Sequence, residues 1–191
     1  NFYQMICDHG EKIVIVNPET CPTGTMPEAE VLITETTEVT LGLLTADCIP
    51  AIFYSPEKHI LALAHLNRKT IAHDLTKQVV STLFRDFSVN PSNLQVHFEP
   101  HIHAESYVFD TPFSEQTPIQ LESFITLNEN LASVDFAAAH LAQLEEVGVQ
   151  KENISISEIN VALSAKYFSH HQSKQDENKP QGRHLTIATL K

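Results

Sequence analysis

The chain has 191 residues and a hydrophobic fraction of 42 %, which is enough for a substantial core and excludes an intrinsically disordered chain. This length suits one domain of sheets and helices. The formal net charge of −12 repels phosphate backbones and anionic lipids, which argues against nucleic-acid and membrane partners. A small anionic substrate would need a local basic pocket to bind to so acidic a chain.

The first half of the chain is a series of short apolar segments. Residues 12–16 are β-branched and typical of a strand, and a proline-rich loop follows at residues 17–28. Four further apolar runs are separated by polar or turn-forming residues: EVLIT, VTLGLLT, IPAIFY and HILALAH. Their nearly continuous hydrophobicity predicts strands that are covered on both faces.

The second half alternates between helical and strand periodicity. Apolar residues at helical spacing predict one helix over residues 70–86 and another over residues 135–147, with Asp135 as its cap. The remaining predictions are strands at 94–98, 154–159 and 184–190, a loop at 110–118 and a polar, flexible stretch at 171–182. No repeat or linker divides the chain, so we predict a single mixed α/β domain over residues 1–191.

Asp47 and Cys48 interrupt the apolar runs in the segment TADCIP. A cysteine at a break between two strands is a nucleophile, a metal ligand or a buried structural residue. A neighbouring carboxylate raises the pKa of a thiol, so Asp47 is expected to disfavour the thiolate of Cys48 unless a cation or a metal offsets it.

His65 ends the fourth apolar run and is followed by a polar, basic bend. The bend contains Arg68 and Lys69 and leads into the helix predicted from residue 70. A helix N-terminus beside two cations can hold a phosphate. The alternative is a solvated helix start beside a hydrogen-bonded histidine.

Other basic side chains are weaker candidates for a site. His9 precedes a glycine turn, and Arg183 follows a glycine at the start of a strand. His101 and His103 face the same way if their segment is extended, but a closed zinc site needs three or four ligands. Each of these residues also has a purely structural interpretation.

The cysteines and the lack of targeting signals indicate the compartment. The chain has three cysteines, whereas a disulfide framework uses a larger and even number. The sequence has no secretory signal and no apolar run long enough to cross a bilayer. We therefore expect a cytoplasmic protein.

Seven segments taken in order resemble the YfiH-type laccase-domain family over nearly the whole chain: HGEKIVIV, AEVLITETTEVTLGLLTADCIPAIFYSPE, ILALAH, EPHIHAESYVF, VDFAAAHLAQLEEVGV, YFSHHQ and GRHLTIATL. Members are often labelled polyphenol oxidase and are understood as purine nucleoside phosphorylases with adenosine deaminase side activity. The resemblance implies a mixed α/β sandwich with sheets between helix layers, related to putative cysteine hydrolases. It also implies that the family's segment ahead of the His–Gly turn is missing here.

The resemblance implies catalytic roles for four residues. His9 matches the histidine of the family's Gln-Val-His-Gly turn. Asp47 and Cys48 match its Ala-Asp-Cys element. His65 matches the first zinc-binding histidine, in the element His-Ala-Gly-Trp-Arg-Gly, which here reads HLNRKT.

Three basic residues are the implied substrate- or phosphate-binding groups. Either Arg68 or Lys69 replaces the arginine of the family's His-Ala-Gly-Trp-Arg-Gly element, and the sequence does not decide between them. Arg183 matches the arginine of a C-terminal Gly-Arg pair.

The implied zinc site departs from the family at two of its three ligands. Ser106 stands where the family has a zinc-binding cysteine, and Ser133 stands where it has a histidine. A neutral hydroxyl is a poor zinc ligand, so we expect zinc at His65 to be weak or absent. Substitute ligands would come from residues that are near in sequence: His101, His103, Glu105, His73 or His140.

Three functions remain open at this point. The first is a divergent enzyme that cleaves or deaminates nucleosides. The second is a non-catalytic descendant that binds a small molecule or another protein. The third is a hydrolase that uses Cys48 and His65 as a thiol–imidazole pair, which requires the two side chains to lie within about 3–4 Å. The expected ligand is nucleoside-like, and the oligomeric state is left open.

Overall fold

The computed structural model describes residues 1–111 and 119–191. Its first half contains strands β1 (Phe2–Gln4), β2 (Ile13–Ile15), β3 (Val31–Thr34), β4 (Thr40–Thr45), β5 (Ile49–Ser55) and β6 (Ile60–Leu66), followed by helix α1 (Leu75–Phe87). Its second half contains β7 (Gln95–Phe98), β8 (Val108–Asp110), β9 (Ile125–Asn128), β10 (Leu131–Val134), α2 (Phe136–Glu146), β11 (Ile154–Ile156), α3 (His170–Gln175) and β12 (His184–Thr189). The mixed α/β class predicted from the sequence is confirmed.

A six-stranded sheet in the order β11-β7-β5-β6-β3-β2 forms the centre of the fold. All residues of β6 are buried, which confirms for this strand the prediction that both faces are covered, whereas Leu44 of β4 is 42 % exposed and contradicts it there. Side chains alternate along a strand, so Ala62 and Ala64 face one hydrophobic core while Leu61 and Leu63 face another.

The two faces of this sheet are covered by different layers. Helices α1 and α2 pack on one face, where Val79 and Leu83 of α1 and Leu144 of α2 join the larger core. A three-stranded sheet in the order β1-β4-β12 covers the other face, with Tyr3 and Leu41 in the smaller core. The strand β4 therefore leads from the covering sheet directly into β5 of the central sheet.

The first helix begins later than its periodicity predicts. The Asn67 side-chain oxygen accepts hydrogen bonds from the backbone N–H groups of Lys69, at 2.8 Å, and Thr70, at 3.2 Å, while the Thr70 hydroxyl oxygen accepts one from the N–H of Asn67 at 2.9 Å. This side-chain turn competes with helix formation, so α1 starts only at Leu75. The prediction of a helix N-terminus at residue 70, beside Arg68 and Lys69, was wrong.

The later parts of the chain differ from the prediction in detail. The stretch at 171–182 was predicted to be flexible, but it contains most of α3, because the Ser169 hydroxyl oxygen accepts from the N–H of Gln172 and caps the helix. Strands β1, β8, β9 and β10 were not predicted, since each is short and partly exposed. Most of the loop predicted at 110–118 lies outside the described residues.

No helix in the described part of the chain has the length and hydropathy needed to cross a bilayer.

A buried histidine ties α2 to the bend that follows β6. His140 has no exposed surface; its Nε2–H donates to the backbone oxygen of Asn67 at 3.1 Å, and its Nδ1 accepts from the hydroxyl of Thr76 at 2.8 Å. Burial lowers the pKa of His140 to about 4, although the contact with Asn67 opposes the shift. The ring is therefore neutral in the folded protein.

We expect His140 to make stability depend on pH. Its pKa is lower in the folded chain than in the unfolded chain, so its contribution is intact above the unfolded value of about 6.5 and is lost as the pH falls towards 4. In His140→Gln the amide reproduces both hydrogen bonds without titrating. Between about pH 7 and pH 4, the free energy of unfolding should fall less in His140→Gln than in the parent chain, by about 2–3 kcal/mol, as measured by chemical denaturation. If the free energy of unfolding fell equally with pH in both proteins, this account would be contradicted. Similar stability of the two proteins at pH 7 is the internal control.

Candidate functional site

The candidate site lies where three chain segments meet at one end of β5 and β6. Cys48 occupies the bend between β4 and β5, as the sequence predicted. His65 lies near the end of β6, opposite Pro50 of β5. His9 belongs to the turn between β1 and β2 and has a backbone φ of 66°, in the left-handed region.

Glu30 organises two of these segments from behind. It is completely buried, and its Oε2 accepts a hydrogen bond from Nδ1 of His65 at 2.7 Å. Its Oε1 accepts from the backbone N–H groups of Asp8 and His9, each at 2.8 Å. Since a carboxylate can only accept here, Nδ1 of His65 carries the proton and Nε2 is the ring nitrogen available to other groups.

The structure brings His9, Cys48 and His65 together. Their nearest nitrogen and sulfur atoms all lie within 4.8 Å of one another, and the two imidazole rings are 5.3 Å apart at their centroids in an edge-on arrangement. Cys7, Glu30 and His65 form a second such group. Within residues 1–111 and 119–191, these are the groups of histidine, cysteine and carboxylate side chains spaced closely enough to hold a metal.

The surroundings of Cys48 favour its thiolate. Burial raises the pKa of this thiol, but hydrogen bonds from His65 and His9 outweigh that effect and lower the pKa to about 7. Burial lowers the pKa of His65, but its contacts with Cys48, Cys7 and Glu30 raise it well above 6.5. Burial dominates at Cys7 and raises the pKa of that thiol. The cation that the sequence interpretation required to offset Asp47 is thus His65, with a further hydrogen bond from His9.

A cavity of about 430 Å³ opens onto this cluster. Arg183 and His170 line it together with His9, Cys48 and His65. The remaining lining comes mainly from the end of β1 and the residues after it and from the end of β4, including Met5, Ile6, Leu44 and Thr45. This provides the local basic pocket that a small anionic substrate of so acidic a chain requires.

Asp47 is not among the residues that line this cavity. Its backbone φ is 87°, and its Oδ2 accepts a hydrogen bond from the backbone N–H of His171, near the start of α3, at 2.7 Å. Its own backbone oxygen accepts from the N–H of Ile102 at 3.0 Å. These contacts fix the bend that presents Cys48, whereas a catalytic role for Asp47 stays a prediction.

The structure also separates the three basic residues predicted to bind phosphate. Arg183 lines the cavity. Arg68 and Lys69 are not among the residues that line it, and the Arg68 guanidinium lies 5.5 Å from the centre of the Phe109 ring. Phosphate binding by Arg68 or Lys69 thus stays a prediction.

The two serines that the resemblance implied as replacements for zinc ligands are both hydrogen-bonded within the protein. The Ser106 hydroxyl oxygen accepts a hydrogen bond from the Asn160 amide at 2.9 Å, and the Ser133 hydroxyl donates to the backbone oxygen of Ala104 at 2.6 Å. Neither of these contacts places a serine hydroxyl beside His65, so the expectation that zinc there is weak or absent stays a prediction.

The substitute ligands considered from the sequence lie in other surroundings. His101, His103 and Glu105 line a separate cavity of about 260 Å³ beside α2. His73 forms an exposed ion pair with Glu11. None of these side chains belongs to the two closely spaced groups described above, nor does His140, so their substitution for the missing ligands gains no support.

Sequence reasoning missed two members of the cluster. Glu30 begins the run EVLIT and looks like a solvent-exposed residue before a strand, although an acid at a buried strand start is a recognisable signal. Cys7 was counted only as a free cysteine, yet it stands two residues before His9. The pairing of β3 with β6 brings Glu30 to His65, and the bridge between Ile6 and Glu28 brings Cys7 beside them.

Comparison with known proteins agrees with the resemblance seen in the sequence. A model of the family described as multi-copper polyphenol oxidoreductase laccase matches residues 2–191. The crystal structure of the hypothetical protein YfiH from Bacillus licheniformis superposes with a TM-score of 0.81 at 20 % identity, covering 98 % of this chain and 74 % of that one.

Two similar proteins are named purine nucleoside phosphorylase. The one from Staphylococcus saprophyticus is 30 % identical over 140 residues, covering 70 % of this chain and 51 % of its own length. The one from Clostridium acetobutylicum is 29 % identical over 82 residues, covering 43 % of this chain and 35 % of its own length. The matches thus span about half the length of these relatives or less.

Proposed function

Because the chain belongs to the multi-copper polyphenol oxidoreductase laccase family, we propose that it is a divergent nucleoside phosphorylase acting in the cavity beside Cys48. Two features support this proposal. Its relatives are named purine nucleoside phosphorylases. The cavity also combines two imidazoles, a thiol and an arginine, and this combination is the observation that carries the proposal.

The proposed reaction assigns separate tasks to these side chains. Arg183 and His170 hold inorganic phosphate by charge-assisted hydrogen bonds. A phosphate oxygen forms a bond to C1′ of the ribose as the bond from C1′ to N9 of the purine breaks. The departing base takes up a proton, and His9, the exposed imidazole of the cluster, is placed to donate it. The products are a free purine and ribose 1-phosphate.

Incubation with nucleosides tests this proposal directly. The protein is mixed with inosine, guanosine or adenosine, with and without inorganic phosphate, and free bases and ribose 1-phosphate are separated by chromatography. We expect base release that depends on phosphate and yields equal amounts of ribose 1-phosphate. Base release without phosphate would indicate hydrolysis instead. No product at high protein concentration would overturn the proposal and favour the non-catalytic descendant.

Arg183→Gln is expected to weaken phosphate binding. Loss of one charge-assisted hydrogen bond costs about 1.4 kcal/mol, so the KM for phosphate should rise about ten-fold while the KM for the nucleoside changes little. Steady-state kinetics at varied phosphate measure this effect. The matched control is Arg85→Gln, because Arg85 lies on the surface of α1 in a pair with Asp86. An unchanged KM for phosphate in Arg183→Gln would remove this residue from the site.

A second function, thiol-dependent hydrolysis, is favoured by one observation. The order Cys48, His65, Glu30 places a nucleophile, a base and a carboxylate that orients the base in contact with one another. In this mechanism Cys48 forms a covalent intermediate, which water then hydrolyses. Iodoacetamide labelling followed by peptide mass spectrometry tests it, because a reactive nucleophile is modified faster than Cys21, which lies outside the cavity. Labelling of Cys48 no faster than that of Cys21 would count against it.

A further inference from the structure

We propose that Ser155 and His97 form a second catalytic site, which hydrolyses esters of apolar carboxylic acids. Ser155 of β11 and His97 of β7 lie side by side in parallel register. The hydroxyl oxygen of Ser155 is 2.7 Å from Nδ1 of His97. The two side chains line a cavity that shares no residue with the cavity beside Cys48, so the inference goes beyond the proposed nucleoside cleavage.

This cavity lies on a part of the central sheet that the three-stranded sheet leaves exposed. Val96 and Phe98 belong to the larger core beneath the helices, so the alternation of side chains along β7 places His97 on the opposite face. On that face Leu63 of β6 is fully buried, whereas Ser155 is exposed and the side chain of His97 is 41 % exposed. The cavity has a volume of about 390 Å³, so a substrate in solution can reach both side chains.

The contact with His97 prepares Ser155 to act as a nucleophile. When Nε2 carries the imidazole proton, Nδ1 accepts the hydrogen of the Ser155 hydroxyl and can remove it. The other acceptor near this hydroxyl, the backbone oxygen of Val96, is farther away at 3.5 Å. Nε2 lies 4.0 Å from Oε1 of Glu99, which exceeds a hydrogen bond, but a carboxylate there stabilises the imidazolium that forms as Ser155 reacts. Glu99 thus acts through His97 as a positioning residue.

A second, more apolar cavity adjoins the first and determines the kind of acyl group that fits. Its volume is about 520 Å³, and Ile52 and Tyr54 line both cavities. Its other walls come from Leu61 and residues 187–191. Ile52 lies two strands from Ser155, or about 10 Å, so a linear acyl chain of roughly eight carbons reaches from the nucleophile into this cavity. Burial of that chain favours a medium-chain ester over an acetate ester.

Two polar side chains of the first cavity can stabilise the charge that develops during the reaction. Tyr54 and Gln95 are neighbours in the pairing of β5 with β7, and both line this cavity. A phenolic hydroxyl and an amide N–H are suitable donors to the oxygen of a tetrahedral intermediate. The site therefore contains a nucleophile, a base and donors for an oxyanion.

The reaction proceeds through an acyl intermediate on Ser155. The hydroxyl oxygen of Ser155 attacks the ester carbonyl carbon while Nδ1 of His97 takes the hydroxyl proton. The bond from the carbonyl carbon to the alcohol oxygen breaks, and His97 gives the proton to the departing alcohol. Water then attacks the acyl carbon and gives a proton to His97, and the bond to Ser155 breaks as that proton returns to the serine. The products are an alcohol and a carboxylic acid.

Hydrolysis of 4-nitrophenyl octanoate tests this inference. We expect the parent protein to release 4-nitrophenolate, with kcat/KM at least about ten-fold higher for the octanoate than for the acetate. A fluorophosphonate, which modifies activated serines with loss of fluoride, should label Ser155, as located by peptide mass spectrometry. Hydrolysis no faster than in protein-free buffer, or absence of label at Ser155, would overturn the proposal whatever the nucleoside assay shows.

Variants assign the roles of the side chains. Ser155→Ala and His97→Gln should each lower kcat/KM for the octanoate by at least about 100-fold. Glu99→Gln should lower kcat by about ten-fold without changing KM, because its charge acts only on the imidazolium. Ser81→Ala, on the exposed surface of α1, is the matched serine control and should be as active as the parent. Full activity in Ser155→Ala would contradict the proposal and leave the pair as a structural contact between β7 and β11. Circular dichroism of each variant confirms folding.

Discussion

Replacing Glu30 by alanine is expected to lower the free energy of unfolding by about 3–5 kcal/mol, because three hydrogen-bond donors lose their buried acceptor. The imidazole of His65 and the backbone N–H groups of Asp8 and His9 would all lack a partner. The same change releases the His9 turn, so any activity in the cavity should fall with stability. Urea denaturation measures the first effect.

Two further variants separate the role of Glu30 from general damage. Glu30→Gln keeps the shape and the acceptor for the backbone groups, so it should cost only about 1–3 kcal/mol while still disturbing His65. Glu28→Ala, two residues earlier and exposed, should change stability by less than about 0.5 kcal/mol. Equal stability of Glu30→Ala and Glu28→Ala would show that the carboxylate does not organise the site.

Replacing Cys48 by alanine is expected to reduce kcat/KM for nucleoside cleavage by at least about 100-fold, because its sulfur hydrogen-bonds to His9 and positions this proton donor. The substitution removes the sulfur that lies between His9 and His65 but alters little of the core, since Cys48 is partly exposed in the bend. Circular dichroism and denaturation should therefore show a folded protein. Initial rates at subsaturating nucleoside measure the loss.

Cys21→Ala provides the comparison for Cys48→Ala. Cys21 is also partly exposed, but its sulfur contacts Thr25 in the loop before β3, outside the cavity. Its replacement should leave kcat/KM unchanged. If Cys48→Ala and Cys21→Ala were equally active, the cavity beside Cys48 would not be the reaction site.

The apolar pattern of the chain was sufficient to predict most of the central sheet. Runs such as IPAIFY and HILALAH are short, rich in apolar residues and separated by polar turns, which favours buried strands. The start of α1 was predicted too early because apolar periodicity continues through Ile71, whereas the side chain of Asn67 decides the local backbone.

The site was only half visible in the sequence. Side chains at strand ends and turns need not follow the apolar pattern of the core, and this is where His9, Cys48 and His65 lie. The family resemblance identified the same three residues. Glu30 and Cys7 could not be assigned, because their role depends on strand pairing between segments that are about 20 to 60 residues apart. The hydrogen bond of Asp47 with His171 likewise depends on α3, which the polar composition of that segment did not predict.

A crystal structure of the Cys48→Ala variant grown with inosine and inorganic phosphate tests the central claim most directly. That claim is that the reactive centre lies among His9, Cys48 and His65, with Glu30 behind it. We predict that the nucleoside occupies the cavity lined by His9 and His65, with the phosphate within about 3 Å of the Arg183 guanidinium. Nucleoside bound outside this cavity, or no bound nucleoside at saturating concentration, would contradict the account.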